Sequence, residues 1–209
     1  MTIRTILTLL ACSLMGLSAC VSPIIEPGAI YESDVAAREE IVAQGMSLVG
    51  RKDLSTHNAV FRNDCSGLVV GLYRSLGYEV KLNFYESRYV AENLFRNLRA
   101  QGNLFSGTRP RKADLAFFRN TVENSGNRVT HVGLVAGIDT EETVTIIHYS
   151  SRGVSLMRMN LSNPGIHRDE QGNILNDFLR KKPAGPGDVQ LLSGELFFTY
   201  GDLYSYIRH

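Results

Sequence analysis

Neither sign of charge predominates in this 209-residue chain, where 22 Lys and Arg face 21 Asp and Glu. No basic run or basic stripe occurs, and this excludes nucleic acid as an expected partner, because phosphate binding needs clustered cations. Long apolar runs are lacking too. The one at 6–17 is shorter than the roughly 20 residues that cross a bilayer as a stable helix. Internal repeats and low-complexity tracts are absent, so one domain with its own core, and a monomer, is the expectation. Cysteine is scarce, found only at positions 12, 20 and 65.

What is present centres on Asn63-Asp64-Cys65-Ser66-Gly67-Leu68. After Cys65, apolar residues recur at Leu68, Val69, Leu72, Tyr73 and Leu76, the spacing of a helix that buries one face. Asp64 or Asn63 is a natural N-cap, which puts Cys65 in the first turn. Unpaired N–H groups and the positive end of the helix dipole there favour an anion, so a thiolate of lowered pKa is predicted. The competing expectation is an inert, buried thiol.

The N-terminus reads as an export signal, with Arg4 as its only charge ahead of the apolar run. The run closes on Leu17-Ser18-Ala19-Cys20, which resembles the bacterial lipobox. That resemblance implies cleavage after residue 19, lipidation of Cys20 and anchoring in the cell envelope. Ser22, where an aspartate could stand, then implies the periplasmic face of the outer membrane. Residues 20–33, with Pro23, Pro27 and Gly28, read as the lipidated cysteine and a short tether; 34–209 read as the folded domain. Removal of Cys12 and lipidation of Cys20 leave Cys65 as the single thiol of the mature chain. It then has no disulfide partner in an oxidising compartment, and this favours use over accident.

Further along, a helix capped by Ser33 is predicted through Val35, Arg38, Val42, Met46 and Val49, stopped by Gly50. His57 falls in a polar loop and reads as an exposed histidine. Glu79 to Leu82 alternate like a short strand, and 89–100 have helical spacing in Val90, Leu94 and Leu98. Residues 112–118 read as a buried strand after a turn, with Asp114 at its start rather than as an acid catalyst. An antiparallel meander follows at 130–138, 144–149 and 154–159, turning at 139–143. It sets His131 near the start of one strand and His148 near the end of the next. Their distances from the turn differ by several residues, so contact needs a loop or bulge to absorb the offset. Each histidine alone would be an ordinary sheet residue. Residues 176–180 and 195–207 read as short packing elements that cover the core.

A cysteine at a helix start and a histidine on a neighbouring strand make a nucleophile and its base, with a second polar group to orient the ring. Asp64-Cys65-Ser66-Gly67-Leu68, then 113–118, then His131-Val132-Gly133-Leu134, then Ile147-His148 followed by Gly153-Val154, resemble the NlpC/P60 family of cell-wall cysteine peptidases. The resemblance covers roughly residues 35–159, in four separated blocks. The chain departs from the family pattern at Ala113, where a glycine is common.

The resemblance implies an α+β, papain-like domain: N-terminal helices packed on an antiparallel sheet, with the active groove between. It implies a thiol-dependent hydrolase acting on peptidoglycan stem peptides, with Cys65 as nucleophile, His131 as base and His148 orienting His131. Asp64 and Ser66 would line the subsite for substrate amine or amide groups. No cofactor and no metal is implied. The bond expected is D-γ-glutamyl–diamino acid. Two alternatives stay open: a CHAP-like amidase cutting between muramic acid and L-alanine, and an inactive lipoprotein that binds wall peptides.

Overall fold

The computed structural model of the protein describes residues 27–208 apart from 108, 183, 184 and 188. The segment read as an export signal, its lipobox-like end and Cys20 lie outside the described residues. Among those described, no helix is long and apolar enough to cross a membrane.

Among the described residues three helices come first: α1 (Pro27–Ser47), α2 (Cys65–Ser75) and α3 (Val90–Ala100). Strands β1 (Leu104–Phe105), β2 (Leu115–Arg119), β3 (Val129–Ile138), β4 (Thr143–Ser150) and β5 (Gly153–Asn160) follow, then α4 (Ser193–Leu196), β6 (Phe197–Gly201) and α5 (Leu203–Tyr206). The fold is α+β. Among the described residues six strands form one antiparallel sheet in the order β1-β6-β2-β3-β4-β5.

Helix α1 starts at Pro27, ahead of the predicted Ser33 cap, so residues 27–33 are helical rather than an irregular tether. Proline suits that first position because its missing N–H would go unpaired there anyway. The buried stripe of α1 is Arg38, Ile41 and Val42, with Leu48 buried just past its end, whereas Val35 and Met46, and Val49 in the following turn, face solvent. The apolar residues are thus a poor guide to this helix, because its inward face carries a guanidinium. Arg38 donates to Asp114 at 2.8 Å and to Asp202 at 2.6 Å. Arg111 reaches the other oxygen of Asp202, also at 2.6 Å. This buried cluster ties α1 to the start of β2 and to the cap of α5. It gives Asp114, at the strand start, a structural partner in each direction.

Side-chain parity along the sheet decides the layers. Leu115 and Phe117 of β2, Val132 and Leu134 of β3 and Ile147 of β4 pack on the helices with Leu68, Leu72, Leu94 and Leu98. Ala116, Phe118, Val135, Ile146, Met157 and Met159 form a second cluster on the opposite face, closed by Leu196 and Tyr200. The unbroken run Leu115-Ala116-Phe117-Phe118 is therefore a strand buried on both sides. The C-terminal segment does more than cover the core: β6 enters the sheet between β1 and β2.

The strand predicted at 79–82 does not form. Its carbonyls are satisfied by side chains instead, Val80 by Arg74 and Lys81 by the Tyr206 hydroxyl, so no ladder is needed.

Candidate active site

The cysteine turn is built by local contacts. Asp64 sits in extended backbone (φ −147°, ψ 166°) and accepts the Gly67 N–H at 2.7 Å, the predicted N-cap. Its other oxygen takes Arg62 Nε at 3.1 Å. A Cβ on Gly67 would stand 2.6 Å from the Arg62 carbonyl oxygen, so only glycine lets the incoming loop lie against the helix start. Asn63 braces that loop, accepting the Leu54 N–H at 2.7 Å.

Cys65 is half-buried beside β3. Its sulfur lies 3.9 Å from the Ser66 hydroxyl. Contrary to the prediction of an activated thiolate, its pKa is raised. Burial is the main cause and the neighbouring Asp64 charge adds to it, outweighing the hydrogen bonds from Val132 and Ser66. Removing the sulfur from water opposes ionisation more than the helix start favours it.

His131 and His148 meet. Nε2 of His131 lies 2.9 Å from Nδ1 of His148, with the rings edge-on. The strand register pairs Leu134 with Ile147, which carries on to set Gly133 opposite His148. The histidines are therefore diagonal neighbours, one pleat apart on the same face. Glycine at 133 makes room between them: a Cβ there would come within 3.2 Å of the His148 Cβ and 2.4 Å of an Ile146 methyl. Burial depresses both imidazoles, His131 to about 3, with the nearby His148 contributing, and His148 to about 4. For His148, Asp177 pulls the other way and Arg152 adds to the depression. At neutral pH the resting site thus holds a thiol and two neutral rings.

Cys65, Asp64, His131 and His148 open onto one groove of about 570 Å³. The groove is more than a cleft between helices and sheet. One wall is the β4–β5 turn with Ser150 and Arg152, and another is the segment 177–181 with Asp177 and Lys181. Ser66 departs from its expected place in a substrate subsite, being 1 % exposed and absent from the groove wall. Asp64 does line the groove, but its carboxylate is shared between the helix cap and Arg62. His57 is exposed, as expected.

The sequence reading missed Ser155. Its hydroxyl lies 3.1 Å from His148 Nε2, directly across the β4–β5 hairpin. Counting outward from the 150–153 turn would have found it. Among the described residues, no group of three or more His, Cys, Asp or Glu is arranged to hold a metal ion.

No family model matches the sequence, and no curated protein matches it. Among solved structures the chain is similar to one described as "The crystal structure of Ly7917", with 18% identity and a TM-score of 0.41. The alignment covers 59% of this chain and 56% of that one, so just over half of that protein's length is spanned. A likeness at this level carries no argument about what the protein does.

Proposed function

We propose that this protein is a cysteine hydrolase of NlpC/P60 type on a papain-like domain, cutting an amide in peptidoglycan stem peptides. The observation that carries this is the hydrogen-bonded pair His131–His148 opening onto the same groove as Cys65 at the start of α2. His148 occupies Nε2 of His131, which leaves Nδ1 as the nitrogen for the thiol proton.

The neutral resting pair sets the order of events. As Sγ bonds to the substrate carbonyl carbon, its proton passes to His131 Nδ1 and the carbonyl π pair moves to oxygen. Backbone N–H groups at the start of α2, that of Cys65 included, stabilise the oxyanion. When the C–N bond breaks, the imidazolium returns the proton to the departing amine. Water, deprotonated by the same ring, then cleaves the thioester and restores the thiol. The bond proposed is D-γ-glutamyl–diamino acid. The lipobox at Cys20 supports an envelope lipoprotein on the periplasmic face of the outer membrane, facing its wall substrate as a monomer.

The test is mass spectrometry of purified muropeptides incubated with the full chain and with its Cys65→Ala variant. A fragment formed only by the intact thiol is expected, and its mass identifies the bond. A fragment cut between muramic acid and L-alanine would replace the endopeptidase with an amidase. No fragment from several wall chemistries would overturn hydrolysis in favour of wall binding.

A further inference from the structure

Two neutral histidines in contact can share their protons in either of two directions, and only one of them leaves a base for Cys65. In the first, His131 Nε2–H donates to His148 Nδ1, and His131 Nδ1 keeps its lone pair. In the second, His148 Nδ1–H donates to His131 Nε2, which puts the remaining proton of His131 on Nδ1 and removes the base. The pair itself does not choose between them.

The groups behind His148 do choose. Ser150 Oγ lies 3.2 Å from the Gly153 carbonyl oxygen, which can only accept, so the Ser150 hydroxyl donates there. One lone pair of Ser150 Oγ takes the Arg152 backbone N–H at 3.2 Å. Its second lone pair faces Ser155 Oγ at 3.4 Å. With the Ser150 proton committed, that contact runs from Ser155 to Ser150. In that arrangement Ser155 has only lone pairs left for His148 Nε2, 3.1 Å away, and this nitrogen is the donor. His148 Nδ1 is in consequence an acceptor, and it takes the proton on His131 Nε2 at 2.9 Å.

We propose that Ser155 and Ser150 are positioning residues: a one-way hydrogen-bond chain from His131 through His148, Ser155 and Ser150 to the Gly153 carbonyl keeps His131 Nδ1 unprotonated. The hairpin supplies this geometry by register, pairing His148 with Ser155 and Ser150 with Gly153. Gly153 has φ +95°, and a Cβ there would stand 2.3 Å from the Arg51 carbonyl oxygen; with the Val154 N–H donating to that oxygen at 2.8 Å, the acceptor that ends the chain is held by backbone. Neither serine touches substrate in this role.

The inference rests on the proposed chemistry for its purpose, but its test reads the ring nitrogens directly. In the full chain labelled with ¹⁵N-histidine, long-range ¹H–¹⁵N spectra at neutral pH should show His131 and His148 each carrying hydrogen on Nε2 alone. His131→Gln and His148→Gln variants assign the signals. Ser155→Ala should bring hydrogen onto Nδ1 of either ring, and Ser155→Thr should restore the original pattern. With muropeptide substrate, Ser155→Ala should lower kcat about tenfold with KM unchanged, a small share of what a wrongly protonated triad histidine loses. Nitrogens unaltered by Ser155→Ala would overturn the inference, even with kcat reduced, because the serine would then act only through packing. Altered nitrogens in a chain inactive on every wall substrate would uphold the inference and refute the hydrolase.

Discussion

Nε2 of His131 stands 2.9 Å from Nδ1 of His148, and the two ring planes meet at 85°. The edge of one imidazole thus meets the other at hydrogen-bonding distance, the geometry of one ring orienting its neighbour. His131→Ala removes the proton acceptor and should reduce kcat by about a thousandfold, whereas His148→Ala removes only orientation and should reduce it about ten- to a hundredfold. Steady-state rates on a defined muropeptide check the ranking. The reverse order would exchange the two roles.

The pH behaviour should be that of a neutral dyad. Unfolded, each histidine protonates near its ordinary value of about 6.5; folded, His131 resists down to about 3 and His148 to about 4. Across that interval the unfolded chain binds more protons, so stability is full above about 6.5 and declines as pH falls towards 3. A melting series from pH 7 to 4 should show the decline, and His148→Gln should flatten it. Over the same range kcat/KM should hold down to the pH at which unfolding begins, with no break near 6.5.

Cys65 should alkylate slowly at neutral pH and faster in alkali, since burial raises its pKa. The thiolate is the reactive form. Iodoacetamide labelling followed by intact mass against pH tests this. Rapid labelling at pH 7 would mean that the dipole at the start of α2 outweighs desolvation.

Gly133 separates the two histidines. Its substitution by Ala would set a Cβ 3.1 Å from the Ile147 carbonyl oxygen and 3.2 Å from the His148 Cβ, so β3 and β4 must part slightly. A loss of about 1–3 kcal/mol in stability is expected from such overpacking, together with a fall in kcat larger than the one caused by Ser155→Ala. Denaturant unfolding beside kinetics reads both. Unchanged kcat would mean that the histidine pair is more compliant than its packing suggests.

Ala113 offers the opposite change. It has φ 63°, a left-handed conformation that suits glycine, yet it is fully buried and its carbonyl accepts the Tyr73 hydroxyl at 2.9 Å. Ala113→Gly should therefore relieve strain and raise stability by about 0.5–1 kcal/mol, provided that the lost methyl leaves little void. Chemical denaturation measures it. A destabilised variant would show that the methyl contact outweighs the strain.

Local chemistry determined a good part of this protein on its own. The Asp64 cap, the apolar stripe of α2 and the β3–β4–β5 meander are short-range features. Each depends on residues a few positions apart, and each was legible in the sequence. Other features depended on parts of the chain that meet only in the fold. The inward face of α1 is set by Arg38, whose partners Asp114 and Asp202 are 76 and 164 residues away. β6 takes its place beside β2 by long-range pairing, and segment 177–181 becomes a wall of the groove. The raised pKa of Cys65 has the same origin. A helix start is visible in six residues, but the burial that overrides it comes from the whole fold. Ser150, Ser155 and His148 are aligned by the register of one hairpin, but the direction of their hydrogen-bond chain to His131 was decided only in the packed structure, because it depends on the group at its end.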